Sequence, residues 1–425
     1  MSKTKNQRAK SKEQRPKTKD LSPVQMTQKL QVDKWLFSAT VGLALFGVVM
    51  VYSASAMIAV QENHSQFHYV VKQGIWTLIG FGAMFVMMRF DYQKLNRAWI
   101  VYGLLLLTIL LLLAVFAFPP VNGARRWIKL SGFSAQPSEV AKLSLAIFVA
   151  YVIERRAGDE GSFWKTFVPC MFALTIFAGL VAKEPDLGTA LMLAIIAFTM
   201  CFAGGVRPRY LGLATVPALL FVGKMLIFTP FRMRRLIAFI NPWADAQGTG
   251  YQVVQSLIAV GSGGQHGLGF AQGRQKLLFL PFAHSDFIFA VIGEELGLIG
   301  ALIVIFVFAV FLWRGMRAAL RAPDRFGMLL GIGIVVGIVA QALLNMSVVL
   351  ALLPTKGIPL PFISYGGSSL VPTLAGVGIL LNISQFVGAG RRANYDDGDY
   401  EEEWQPARRA RSKGPGRARA LARPR

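Results

Sequence analysis

Cysteine and histidine are nearly missing from this chain. Its 425 residues hold two cysteines and four histidines. Cys170 and Cys201 fall in separate apolar stretches, as buried thiols do, so neither a disulfide framework nor a thiolate metal site is on offer. No His, Asp and Glu spacing matches a zinc site, and the isolated His266 and His284 carry little weight. Charge is thin as well, at 16% of residues, and acid is the scarcer sign: 22 Asp and Glu against 45 Lys and Arg. No cleavable signal peptide is visible, because the first apolar run follows a long charged stretch and exceeds a signal-peptide core.

The formal net charge of +23 does not mark a nucleic-acid binder. Ten Lys and Arg lie in residues 1–34 and ten more in 391–425. Both segments are poor in apolar residues and are expected to be disordered tails. Basic tails beside a membrane reflect orientation and attraction to anionic membrane lipids. No aromatic platform or nucleic-acid motif accompanies them, so no nucleic acid is expected as partner.

What remains is apolar. Hydrophobic residues make up 54% of the chain, and the mean hydropathy is +0.48. Runs such as "LFSATVGLALFGVVMVYSASAMIAV" and "WIVYGLLLLTILLLLAVFAF" hold the roughly 20 apolar residues needed to cross a hydrocarbon core. Ten such spans are expected, near 35–60, 69–89, 99–118, 138–154, 164–182, 187–204, 210–229, 285–313, 327–350 and 367–389. The fold class is therefore all-α: a polytopic membrane domain, residues 35–390, between two cytoplasmic tails. An even number of spans puts both termini on one side. The loops sharing that side, "RFDYQKLNR", "ERRAGDEG", "GGVRPR" and "WRGMRAALRAPDR", are basic, which makes it the cytoplasm.

Base on the opposite loops works against that signal. Arg125, Arg126 and Lys129 lie in 122–139. Arg232, Arg234, Arg235, Arg274 and Lys276 lie in the large extracytoplasmic loop between spans 7 and 8, and Lys356 follows in 354–369. One basic outer loop is explained by side chains reaching lipid headgroups; several together point to an anionic ligand. These loops are also rich in Gly and Pro. "GTGYQVVQSLIAVGSGGQHGLG" and "PLPFISYGGSS" can turn tightly and enter the bilayer edge where protein or a wet cavity receives them. "YQVVQSLIAV" fits a short re-entrant or interfacial helix.

Carboxylates inside an apolar bundle are costly. Asp286 opens the eighth span, either as a helix-capping acid or as a proton acceptor raised by an apolar wall. Glu294 and Glu295 lie deeper and on other faces of the helix, and are expected to pair with groups on neighbouring helices. Glu139 and Lys142, three residues apart, share a face as an ion pair or as ligand contacts. Glu184 and Asp186 sit in a short outer turn, and Arg234 with Arg235 makes a fork suited to a diphosphate.

In order along the chain, "NGARRWIKL…QPSEVAKL", "KEPDLGTA", "GTGYQVVQSLIAVGSGG…GLG", "LPFAHSDFIFAVIGEELGLIG" and "GIPLPFISYGGSSL" resemble the SEDS family, the shape, elongation, division and sporulation proteins of bacteria. The likeness spans residues 33–390 and is nearer the division branch than the elongation branch. It implies a peptidoglycan glycosyltransferase that polymerises lipid II at the outer face of the cytoplasmic (inner) membrane, at the septum. The family's essential acid falls on Asp286. Its substrate-binding cavity residues fall on Glu139, Lys142, Asp186 and Arg234, with Arg126, Gln255, Lys356, Ser364 and Ser368 as further candidates. No cofactor is certain; a divalent cation, Mg or Mn, would fit the chemistry. The resemblance also implies a class B penicillin-binding protein as transpeptidase partner, and the division regulators FtsQ, FtsL and FtsB. Two other readings remain open: a lipid II flippase or transporter, and a scaffold that recruits partners through its tails.

Overall fold

The computed structural model describes residues 32–386, apart from 121, 122, 131, 132 and 278. The two tails expected at 1–34 and 391–425 lie almost wholly outside the described residues. Twelve α-helices account for most of the rest. Ten stand where the ten spans were expected: α1 (Lys34–Gln61), α2 (His68–Arg89), α3 (Ala98–Ala114), α4 (Pro137–Arg155), α5 (Val168–Lys183), α6 (Leu187–Ala203), α7 (Pro208–Ile227), α10 (Ile288–Leu320), α11 (Arg325–Val349) and α12 (Gly367–Phe386). Seven of these are, taken singly, long and apolar enough to span a bilayer. In α4 the apolar run is interrupted by Glu139, Lys142, Glu154 and Arg155; it joins the bundle by packing against α3, α6 and α11.

Local chemistry sets the helix starts. Asp33 caps α1 by accepting from the Leu36 amide, Asp186 caps α6 through Thr189, and Asp324 caps α11 through Gly327. Such acids occupy the amides that have no partner within the helix. Proline stands in the first turn of α4, α5, α7 and α8 (Pro230–Ile240), where its missing N–H costs nothing. A small antiparallel hairpin, β1 (Ile128–Leu130) and β2 (Phe133–Ala135), leads into α4.

The loop between α7 and α10 is built rather than loose. α9 (Tyr251–Ser262) is a short helix at the position expected for one. It buries Val253, Val254, Ser256 and Ala259, packs on α10, and anchors to α11 through Ser256 Oγ donating to the Val349 carbonyl at 2.7 Å.

The stretch after α9 is received by a break in α10. At Gly297, φ is +66°, a conformation that favours glycine, and the α10 hydrogen-bond ladder opens there. Amides of Leu268 and Gly269 donate to the freed carbonyls of Glu294 and Glu295, both at 3.0 Å. Gly267, also left-handed at +80°, lies so close that a β-carbon would stand 2.1 Å from the Glu295 carbonyl oxygen.

Glu294 and Glu295 complete the attachment. Glu294 accepts from the amides of Arg274 at 2.7 Å and Gln275 at 3.1 Å. Glu295, wholly buried, accepts from Ser53 Oγ of α1 at 2.7 Å, from the Ala271 amide at 3.1 Å and from Lys276 Nζ at 2.6 Å. Among the described residues the neighbouring-helix pairing expected for these acids is met by Ser53 alone; their other partners are loop amides and Lys276. A buried carboxylate is tolerable when several charge-assisted donors replace its water.

Candidate active site

Asp286 lies just ahead of α10 on the outer side of the bundle, and three backbone contacts fix the segment that carries it. Ser364 Oγ donates to the Ser285 carbonyl at 2.5 Å, the Tyr365 amide to the His284 carbonyl at 3.0 Å, and Asn345 Nδ2 to the Asp286 carbonyl at 2.7 Å. The same Asn345 nitrogen donates to the Ile358 carbonyl at 2.7 Å. Asn345, buried on α11, thus ties the Asp286 segment to the loop of Lys356. The side chain of Asp286 is half-buried and rests against exposed Gly357. It is not a helix cap.

The charged surroundings come from three other outer segments. Burial pushes the Asp286 carboxyl up to about 6; Arg126 and Arg235 hold it down, and Asp186 adds to the rise. Arg126 grips the turn between α5 and α6, donating from Nε to the Glu184 carbonyl at 3.1 Å and from Nη2 to the Pro185 carbonyl at 2.6 Å. Asp186 accepts from the Thr189 amide and hydroxyl and from Gln136 Nε2. Gly188 brings this turn against Ile358, where a β-carbon would sit 3.0 Å from the isoleucine side chain. Lys356 is half-buried, and burial lowers its ammonium from the ordinary lysine value while Asp186 opposes the shift.

A second group meets the same 356–361 segment at Pro359. Lys142 Nζ pairs with Glu139 Oε2 at 2.7 Å and donates to Gln341 Oε1 at 2.6 Å, while Gln341 Nε2 donates to the Pro359 carbonyl at 2.9 Å. These side chains line a cavity of about 50 Å³ whose other walls include Leu143, Ile338 and Pro361. The pair expected at 139 and 142 is therefore an ion pair that also faces a cavity.

The remaining candidates separate. Arg234 is exposed on α8, and its neighbour Arg235 is the one directed toward the Asp286 group, reaching the Thr355 carbonyl at 3.5 Å. Ser364 is buried, and its hydroxyl is engaged with backbone at both ends, accepting from the Leu360 amide at 2.8 Å. Ser368 Oγ, at the start of α12, is buried without a hydrogen bond among the described residues. Gln255 is half-buried on α9, and among the described residues no hydrogen bond joins it to the Asp286 group.

Sequence reasoning gave no place to Asn345 and Gln341, whose only signal is an amide side chain inside an apolar span. It left Glu184 unassigned. Glu184 is completely buried, both carboxyl oxygens are without a hydrogen bond among the described residues, and burial with help from Asp186 pushes it up to about 8 against the pull of Arg126. His284 is lowered to about 4 by burial and is neutral beside Tyr69 and Tyr365. Among the described residues no three His, Cys, Asp or Glu side chains converge as metal ligands.

The arrangement is an acid with a raised pKa, exposed at one edge, among two arginines, a lysine and a second acid on the outer side of a membrane bundle. A family model for the FtsW, RodA and SpoVE group, described as "Cell cycle protein", matches residues 34–388. The chain belongs to the FtsW/RodA/SpoVE family. Among family members, it is 46% identical to the "Probable peptidoglycan glycosyltransferase FtsW" of Geobacter metallireducens, over 81% of this chain and 92% of that one. It is 39% identical to the stage V sporulation protein E of Bacillus subtilis, over 85% of this chain and 99% of that one. In three dimensions it is similar to a solved chain from work titled "Structural coordination of polymerization and crosslinking by a peptidoglycan synthase complex", with a TM-score of 0.69 at 28% identity, covering 84% of this chain and 98% of that chain. It is also similar to the rod shape determining protein RodA of Thermus thermophilus, with a TM-score of 0.63 at 25% identity, covering 84% and 97%.

Proposed function

We propose that this chain is a peptidoglycan glycosyltransferase of the division type, polymerising lipid II at the outer face of the inner membrane during septal wall synthesis. The names of its FtsW relatives support the activity. The observation that carries the residue assignment is the Asp286 carboxylate. It is raised to about 6, lies against exposed Gly357, and feels Arg126 and Arg235 from two other outer segments.

The chemistry follows from those groups. Above pH 6 Asp286 is mostly ionised and can accept a proton. The acceptor's GlcNAc 4-hydroxyl attacks C1 of the donor's MurNAc. The new O4–C1 bond forms as the bond from C1 to the diphosphate oxygen breaks, the hydroxyl proton passes to Asp286, and undecaprenyl diphosphate leaves. Arg126, Arg235 and Lys356 offset the charge that develops on the diphosphate. One carboxylate suffices, because a diphosphate leaves without a strong acid, unlike the alcohol that glycosidases must protonate. Among the described residues no three side chains converge as metal ligands, so Mg or Mn serving here would take its ligands largely from diphosphate oxygens.

A transpeptidase partner, a class B penicillin-binding protein, fits the likeness to a peptidoglycan synthase complex. FtsQ, FtsL and FtsB are the regulators expected at a septum. The deciding experiment is polymerisation of lipid II by purified protein, with and without the transpeptidase, against Asp286→Asn. Loss of glycan strands with normal lipid II binding supports the assignment. Undiminished strands would remove Asp286 from the chemistry. Translocation of lipid II in liposomes without any strand formation would favour a flippase.

A further inference from the structure

The Asp286 segment lies between two unlike sets of groups. Asp286 itself meets Gly357 and feels Arg126, Asp186 and Arg235. His284, two residues earlier, feels Glu62 and packs its ring against Tyr69 and Tyr365, with centroids 5.2 and 5.5 Å away. The two sets share no member. One is cationic, and the other is aromatic with a single acid.

The aromatic set is built by the corner between α1 and α2. Glu62 ends α1, and Asn63 turns the chain back at a φ of +58°, so that the His64 amide donates to the Ala59 carbonyl at 2.8 Å. Asparagine tolerates that left-handed conformation. His64 stacks on His68 at 4.1 Å between centroids, and Tyr69, the second residue of α2, donates from its hydroxyl to Glu62 Oε2. One turn further along the same face stands buried Gln73. It grips both neighbours of Tyr365: Nε2 donates to the Ser364 carbonyl and Oε1 accepts from the Gly366 amide, each at 3.3 Å. Tyr365 is thereby set edge-to-face on Tyr69 at 5.1 Å. Both tyrosines are half-buried and Glu62 is exposed, which leaves part of each ring and the carboxylate accessible. Glu62 and Lys72 both act on His68, and their charges nearly cancel, so the corner has no net attraction for a diphosphate.

A one-step displacement brings the attacking oxygen to C1 on the face opposite the departing group. The diphosphate belongs with the arginines and Lys356, so the acceptor belongs on the other flank, within reach of Asp286. Residues 284 and 286 are at most about 7 Å apart along the chain. A pyranose has an apolar face of C–H groups and a rim of hydroxyls. Tyrosine rings cover such a face, while their hydroxyls and a carboxylate bond the rim. We propose that Glu62, Tyr69 and Tyr365 form the acceptor subsite, holding the sugar ring whose hydroxyl meets Asp286. This rests on the glycosyltransferase reading and adds the place of the second substrate.

The test measures two ligands on the full-length protein in nanodiscs, without turnover. One probe is a soluble tetrasaccharide of alternating GlcNAc and MurNAc, which has no diphosphate. The other is farnesyl diphosphate, which has no sugar. Affinities are read by saturation-transfer NMR. Tyr69→Leu and Tyr365→Leu should each weaken the tetrasaccharide by roughly three- to tenfold, the scale of one aromatic contact, and leave farnesyl diphosphate unchanged. Tyr365→Phe keeps the ring and should keep most of the binding. Glu62→Gln changes an exposed side chain and should weaken the tetrasaccharide with the melting temperature unchanged. Arg126→Gln should do the converse, weakening farnesyl diphosphate alone. A parent that binds no tetrasaccharide overturns the subsite. So does equal loss of both probes in the tyrosine variants, which would mean that the Asp286 segment had merely shifted. Tetrasaccharide binding kept with transpeptidase association lost would make the corner a protein contact and overturn it too. A parent that binds both probes as expected yet forms no glycan strands would count against the glycosyltransferase reading and leave the saccharide subsite standing.

Discussion

Asp286 and Gly357 are in contact across the mouth of the site: a β-carbon built on Gly357 would lie 2.8 Å from Asp286 Oδ2. The glycine leaves the room in which the carboxylate stands. Gly357→Ala should therefore push the carboxylate aside without disturbing the bundle. A displacement near 1 Å at a reacting group costs about 10²-fold in rate. We expect lipid II polymerisation to fall by about that factor with the melting temperature unchanged. Parental activity in Gly357→Ala would show that the carboxylate has no fixed position to lose.

Asn345 acts one layer deeper. Its amide nitrogen donates to both the Asp286 and Ile358 carbonyls at 2.7 Å, joining the loops on either side of the acid. Asn345→Leu would strand two buried carbonyls, at about 1–3 kcal/mol each. The milder Asn345→Asp replaces the double donor with an acceptor. Both should lower kcat more than they raise KM, because the acid is misplaced while the diphosphate cations remain. A pure loss of binding would contradict this.

The pH profile carries a sign that can be checked. Asp286 works as a base, so activity should rise with pH along a limb of slope one centred near 6 and level off above about 7. Asp186 contributes to raising that pKa, so Asp186→Asn should move the limb to lower pH even as it slows turnover. Arg126 lowers it, so Arg126→Gln should move the limb upward. Rate profiles on a soluble lipid II analogue would read both shifts, and movement of both limbs in one direction would defeat the electrostatic account.

Glu184 makes a stability prediction of the opposite kind. Its folded pKa of about 8 lies above the ordinary carboxylate value of about 4.3. Between those two values the folded state binds more protons than the unfolded one, so this group's contribution is full below pH 4 and is lost as pH rises through 8. Glu184→Gln removes the titration and keeps the shape. Its melting temperature should exceed the parent's at pH 8.5 and match it near pH 4. A variant less stable at both would mean that ionised Glu184 is used.

Much of this architecture was legible in sequence because a bilayer filters composition so strongly. Ten apolar runs became ten helices, and even "YQVVQSLIAV" became α9. The site was legible as segments, since Gly, Pro and base on the outer side are costly unless used. Single residues within it were less so. Arg234 and Arg235 differ by one position, about 100° on a helix, and no pattern in the preceding loop sets the phase of α8. Asn345 and Gln341 are polar letters in an apolar run, and only folding shows that they meet carbonyls of 358 and 359. Ser364 reads like a ligand residue because hydroxyls in Gly-rich loops often are; here the loop itself uses it.

The buried pair of Lys276 and Glu295 offers the sharpest test of how the large outer loop is held. Their charged atoms are 2.6 Å apart, with 6% and 0% of the side chains exposed, and Ser53 of α1 bonds to both. Removing one partner of such a pair leaves a bare charge and costs about 3–5 kcal/mol, while removing both costs far less than twice that. Lys276→Met should therefore lower the melting temperature more than Lys276→Met with Glu295→Gln, in which Gln can still bond to Ser53. Because the loop leads directly into the segment of Asp286, the single variant should also open it to proteolysis between 264 and 277 and reduce polymerisation. The double variant should recover protection first and activity with it. If the single variant lost activity while the loop stayed protected, the ion pair would be acting on the site by some route other than anchoring.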